Sequence, residues 1–141
     1  MRYTFLLYSD PAMSAGMTEE DWAKSKEIYG QYIGALQEAG VFVDTDWLHP
    51  AETATTITLA GGEKRIQDGP FAETKETLGG FFAIEVENLD EALKWAEKCP
   101  AAQYDKDEIR ASAMGSVGVS QTLRRGRRMS PALLTANSLR C

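Results

Sequence analysis

The side chains best suited to chemistry in this sequence are a lone histidine, one acid in a stiff turn, and a few scattered polar groups. His49, in Trp47-Leu48-His49-Pro50, is the single histidine. Imidazole titrates near neutrality without help from its surroundings. Asp68 opens the stretch Asp68-Gly69-Pro70-Phe71. A carboxylate fixed at a cleft rim can act as a general base if it reaches its proton and has a tuned pKa. Asp68 and His49 are therefore the candidate catalytic residues. Tyr8, Lys75 and Arg110 are candidates for holding a ligand, with the two cations suited to an anionic group.

Each of these residues also has a plainer reading. Asp, Gly and Pro in a row make a turn by composition alone. Glu73, Lys75 and Glu76 are charges of the kind that normally stay hydrated. A histidine before a proline suits an exposed loop. Tyr8 fits a core or an interface, with its hydroxyl bonded to a neighbour. Arg110, placed on a short apolar strand, needs either a carboxylate or an anionic ligand. A single histidine and no clustered cysteines argue against a metal site. No nucleotide or flavin motif is present, so no cofactor is expected.

Local sequence signals indicate which elements position these groups. Arg2-Tyr3-Thr4-Phe5-Leu6-Leu7-Tyr8 is strand-like, with apolar residues on both faces. Thr18 followed by Glu19, Glu20 and Asp21 opens a helix, because acids favour the first turn. Trp22, Tyr29, Ile33 and Leu36 recur at helical spacing, and Gly40 is a natural stop. Val41-Phe42-Val43 makes a second strand. Thr55 to Leu59 and Lys64 to Ile66 form a hairpin around Gly61-Gly62. Gly79-Gly80 then leads into the strand Phe81 to Val86. Asn88 and Glu91 cap a second helix carrying Leu89, Ala92, Leu93 and Ala96, and Pro100 ends it. A last strand begins at Glu108.

The chain has 141 residues and a net charge of −6, and is expected to fold as one domain. Hydrophobic residues make up 43% and charged residues 26%, an ordinary balance for a soluble globular protein. No apolar run reaches membrane-spanning length. The opening residues read as a strand rather than a signal peptide, which points to the cytoplasm. Cys99 and Cys141 make no disulfide framework. From Gly115 onward there is no Asp or Glu, whereas Arg124, Arg125, Arg127, Arg128 and Arg140 all lie there. The acidic body disfavours nucleic acid, and the basic cluster reads as a solvated tail.

The order β-α-β, hairpin, β-α-β predicts an α+β, ferredoxin-like fold with the hairpin as an insertion. Two helices on one side of the sheet would leave the other apolar face bare. Such a face usually marks an interface, so a homodimer is expected, sheet against sheet.

The stretch Gln67-Asp68-Gly69-Pro70-Phe71-Ala72-Glu73-Thr74-Lys75-Glu76, with the following Leu78-Gly79-Gly80, resembles the DGPF branch of the YCII-related family. The opening strand, the end of the first helix and the hairpin are similar to that family as well. The resemblance covers roughly residues 1–110, so 1–114 is expected to be the domain and 115–141 a basic tail without family character. It implies the dimeric α/β-barrel form of the ferredoxin-like fold. Some YCII-type relatives look like enzymes with a His–Asp pair, the His on the first helix. Here the first helix has no His, and its inward candidates are Tyr29 and Tyr32, of which Tyr29 is taken as a ligand contact. The family's last strand ends Glu-Val-Arg-Pro, matched here by Glu108-Ile109-Arg110, with Ala111 in place of the proline. Many DGPF proteins are also encoded beside extracytoplasmic-function sigma factors. The resulting expectation is binding of a small polar or anionic molecule near the Asp68 loop, with weak acid–base chemistry. The alternative is a non-catalytic regulatory protein in a sigma-factor pathway.

Overall fold

The structure, a computed structural model, describes residues 1–113. The basic segment 115–141 lies outside the described residues. Six strands and four helices follow one another as β1 (Arg2–Ser9), α1 (Pro11–Ser14), α2 (Glu19–Glu38), β2 (Phe42–Trp47), β3 (Thr55–Thr58), β4 (Arg65–Asp68), β5 (Thr77–Glu85), α3 (Leu89–Glu97), α4 (Pro100–Tyr104) and β6 (Lys106–Ala111). The main sheet has the order β2-β5-β1-β6, and every neighbouring pair is antiparallel. β5 thus lies between β1 and β2, the split arrangement that the element order predicts. The fold is α+β, compatible with the ferredoxin-like pattern.

Local signals explain most of these boundaries. The Thr18 side chain accepts from the Asp21 N–H, and the Asp21 carboxylate accepts from the Thr18 N–H. This reciprocal cap fixes the start of α2. The Asn88 side chain accepts from the Glu91 N–H and starts α3, while Glu91 pairs with Lys94 at 2.7 Å instead of reaching back to Asn88. Pro100 does not end α3. That helix stops at Glu97, and Pro100 opens α4, where its missing N–H costs nothing. β2 runs well past Val43, because Asp44, Thr45 and Asp46 pair with β5 despite the poor strand propensity of the two aspartates.

One face of the sheet meets the helices. Tyr3 and Phe5 of β1 and Phe82 and Ile84 of β5 form a buried cluster with Tyr32, Leu36, Ala92, Ala96 and Cys99. Tyr32 sits edge-on to Phe82 at 5.1 Å and donates from its hydroxyl to the Trp95 carbonyl. Trp22 and Tyr29 both lean on Trp47, at 5.5 and 5.9 Å, tying α2 to the end of β2. Pairs of this kind add about 0.5–1.5 kcal/mol each beyond the area they bury.

The other face is less apolar than the sequence suggests. Directly opposed residues share a face. The register therefore groups Thr4, Leu6 and Tyr8 with Ala83, Phe81 and Leu78 at the centre. Lys106, Glu108 and Arg110 flank this stripe on β6, and Asp44 and Asp46 flank it on β2. β6 is an edge strand, so Arg110 lies at the border of the sheet. Between Leu7 and Tyr8 the register shifts: Leu7 pairs with Gly80 and Tyr8 with Leu78, leaving Gly79 as an extra residue. This bulge turns Leu78 to the same face as Tyr8.

β3 and β4 pair only with each other, in a two-stranded sheet apart from the main one. The turn between them uses positive φ at Gly61 (65°) and Gly62 (77°), which costs little without a Cβ. Asp68 is the last residue of β4, opposite Thr55, and the chain turns at Gly69 rather than at Asp68.

Candidate functional site

The bulge, the segment before β5 and the start of β6 meet at one end of the sheet. They enclose a cleft of about 660 Å³ lined by Tyr8, Thr74, Lys75, Glu76, Lys106, Asp107 and Glu108. Tyr8 and Lys106 are direct cross-strand partners, which puts both on the open face. The Thr74 hydroxyl donates to the Glu76 carbonyl at 2.6 Å and shapes the loop that carries Lys75. The Lys106 ammonium donates to the Glu76 carboxylate at 2.7 Å, joining the loop to β6. That bond holds Lys106 protonated, its pKa raised by the Glu76 contact. Lys75 is exposed and has no carboxylate partner among the described residues.

Behind this cleft lies an acidic layer facing the helices. Asp107 pairs with Leu7, so its side chain takes the helix face of the sheet. Both carboxylate oxygens are buried, and neither has a hydrogen-bond partner among the described residues. Burial raises the pKa of Asp107. Cys99 lies close enough to favour the ionised form in part, but too poorly placed to complete a hydrogen bond, and the charge of Asp105 raises the pKa further. Burial and the neighbouring Asp107 push the Cys99 thiol up to about 12. Tyr29 and Tyr32 are raised by burial first, then by Cys99 and Asp107. Asp105, at the entry to β6, is raised by its own burial and by the charges of Glu76 and Asp10.

The structure brings Tyr8 and Lys75 together in one cleft and leaves the other expected site residues elsewhere. Asp68 is exposed and lines a second, smaller cleft of about 410 Å³ with Glu52, Gln67, Gly69, Pro70, Phe71 and Glu73. His49 is exposed between β2 and the hairpin and borders neither cleft. Tyr29 belongs to the helix layer, stacked on Phe82 at 6.3 Å. Arg110 is exposed and bonds the Glu108 carboxylate, one of the two kinds of partner expected for it. Lys106 and Asp107 escape the sequence reading because the last strand was expected to start at Glu108. Extending the alternation back from Ile109, which packs against the core, would have placed Asp107 on the helix face and Lys106 beside Tyr8.

No group of three or more His, Cys, Asp or Glu able to hold a metal is found among the described residues. No helix among them is long and apolar enough to cross a membrane.

Residues 1–111 match the model of the YCII-related domain. The chain is also similar to an uncharacterized protein of Rhizobium meliloti (strain 1021), at 35% identity over 96 residues, covering 68% of this chain and 77% of that protein.

Proposed function

Because this chain belongs to the YCII-related family, whose similar Rhizobium protein carries no assigned activity in its name, we propose its function from the cleft itself. The protein binds a small polar molecule bearing an anionic group, held between Tyr8, Lys75 and Lys106. The supporting observation is an open cleft of about 660 Å³ in which Glu76 is paired to Lys106 and Glu108 to Arg110, so that Lys75, beside Tyr8, is the lining cation without a carboxylate partner among the described residues. Such a volume suits a small organic ligand, fixed by a few polar contacts. Lys75 supplies the uncommitted charge, and Lys106 keeps its proton through Glu76. The reading is one of binding. Asp68 and His49, the groups expected to move protons, do not line this cleft.

The same reading includes a homodimer of the dimeric barrel type. Leu6, Phe81 and Leu78 form an apolar stripe on the sheet face opposite the helix-packed core, with Leu78 exposed and Leu6 and Phe81 half-buried, and a second copy would remove it from water.

A thermal-shift screen with small carboxylates, phosphates and sulfonates tests the binding site. A specific ligand raises the unfolding midpoint by mass action. Lys75→Ala and Tyr8→Phe should each abolish most of that rise. If no anion in the panel shifts the midpoint, or both variants keep the full shift, the cleft is not the binding site.

A further inference from the structure

The β3–β4 hairpin carries exposed apolar side chains and open backbone that the proposed function leaves unused. Its strands pair only with each other among the described residues. Every residue of β4 is exposed. Ile57 and Ile66 oppose one another, each 59% exposed, and so share one face of the hairpin. A two-stranded hairpin is marginal in water, and an unpaired edge is a template for another strand.

The register fixes which backbone groups β4 offers. The Gly69 N–H donates to the Ala54 carbonyl, and these two residues continue the ladder one step beyond Thr55 and Asp68. Hydrogen-bonded and non-hydrogen-bonded pairs alternate along an antiparallel ladder. Thr56–Gln67 and Thr58–Arg65 are therefore the bonded pairs, and Ile66 and Asp68 turn their N–H and C=O groups away from β3. Lys64, two residues before Ile66, follows the same phase. Lys64 and Asp68 thus flank Ile66 symmetrically on one face and one free edge, with opposite charges. Neither forms a salt bridge among the described residues.

We propose that two copies of this chain join through β4, edge to edge, in an antiparallel four-stranded sheet centred on Ile66. Outward backbone groups must meet outward groups, so few registers are open to the pair. Centring on Ile66 sets Ile66 against the partner's Ile66 and Lys64 against the partner's Asp68, twice over. Centring on Lys64, Arg65 or Asp68 opposes like charges, which is unfavourable. Centring on Gln67 sets Ile66 against an aspartate and Lys64 against Pro70, which has no N–H to give. The Ile66 register also lines up Ile57, Ile66 and their two copies as one apolar row. The contact uses neither the cleft nor the Leu6–Phe81–Leu78 stripe, so it stands or falls apart from the proposed function.

The test uses the full chain carrying Cys141→Ser, so that the fully buried Cys99 is the only native thiol remaining. Facing residues of a hydrogen-bonded pair lie about 5.5 Å apart at Cα, within disulfide reach. Ile66→Cys should therefore form a disulfide-linked dimer on mild oxidation with glutathione disulfide. Arg65→Cys, Gln67→Cys and Ile57→Cys are the controls, all at exposed positions. The first two do not face their own copies, and Ile57 would lie three strand spacings, about 14 Å, from its copy. Each control should cross-link roughly tenfold more slowly, because it is beyond disulfide reach. In the Ile66→Cys chain, Lys64→Glu or Asp68→Lys alone should slow cross-linking about tenfold by opposing like charges, and the two together should restore it. Equal rates at all four positions, a fastest rate at Ile57→Cys, or a double reversal no faster than the single ones would overturn the proposal.

Discussion

Asp107→Asn should make the protein more stable at mildly alkaline pH, and the gain should shrink on acidification. Both carboxylate oxygens are buried without a hydrogen-bond partner among the described residues. An unpaired buried neutral amide costs about 1–3 kcal/mol, and an unpaired charge costs more. Replacing the carboxylate by an amide of the same shape should therefore stabilise the fold by about 1–2 kcal/mol where the acid would otherwise ionise. The folded-state pKa of Asp107 is raised above its ordinary value of 3.8. The folded state then holds the proton more tightly than the unfolded chain. The favourable contribution of the neutral acid is complete below that ordinary value and is lost as pH rises through the folded-state pKa. Thermal unfolding of wild type and variant, followed by circular dichroism at about pH 3 and about pH 8, reads this window. The variant should melt about 5 °C or more higher at the alkaline end, with the gap closing to near zero at the acid end. A variant that is less stable at about pH 8, or a gap of the same size at both pH values, would refute the argument. It would mean that the carboxylate has a partner the fold depends on.

Two further outcomes follow from close contacts and burial. Gly80→Ala would put a Cβ 2.7 Å from the Asp46 carbonyl oxygen, so the β2–β5 ladder must shift; a loss of about 1–3 kcal/mol is expected in denaturant unfolding. Gly79→Ala meets nothing nearer than the Ser9 hydroxyl at 3.5 Å and should cost far less; equal losses would refute the steric argument. Cys99 is fully buried, with its thiol pushed up to about 12. Iodoacetamide at neutral pH should therefore leave it unlabelled in the native protein and label it after denaturation, as read by peptide mass spectrometry.

Much of the framework is legible in local sequence. Thr18 with Asp21, Asn88 before Glu91, and Gly61-Gly62 each encode a boundary through hydrogen bonds or φ preferences confined to a few residues. The length of β2 is not legible in this way. Asp44 and Asp46 read as loop residues, and only their pairing with β5 makes them strand. The polarity of the open face is hidden from local sequence for a related reason. Alternation shows which residues share a face of one strand, but the charged flanks come from neighbouring strands whose order is tertiary. The cleft depends on the same information, since Tyr8, Lys75 and Lys106 meet only through strand pairing and one ion pair. The face taken by Asp107 is legible by contrast, because it lies two residues before Ile109, which packs against the core, on an alternating strand.

The single unpaired residue at Gly79 has a wider consequence. Upstream of it, β5 is out of phase by one residue with the rest of the strand, so Leu78 faces the side opposite to the one plain alternation would give. A slip that drew Gly79 into the ladder opposite Tyr8 would turn Leu78 toward the helices and shift the segment bearing Thr74, Lys75 and Glu76 by one position, while leaving the core residues Phe82 and Ile84 in place. Deletion of Gly79 would do neither, because it removes the one residue without a partner and keeps Tyr8 opposite Leu78. The cleft is therefore sensitive to the phase of β5 and tolerant of the length of the bulge itself.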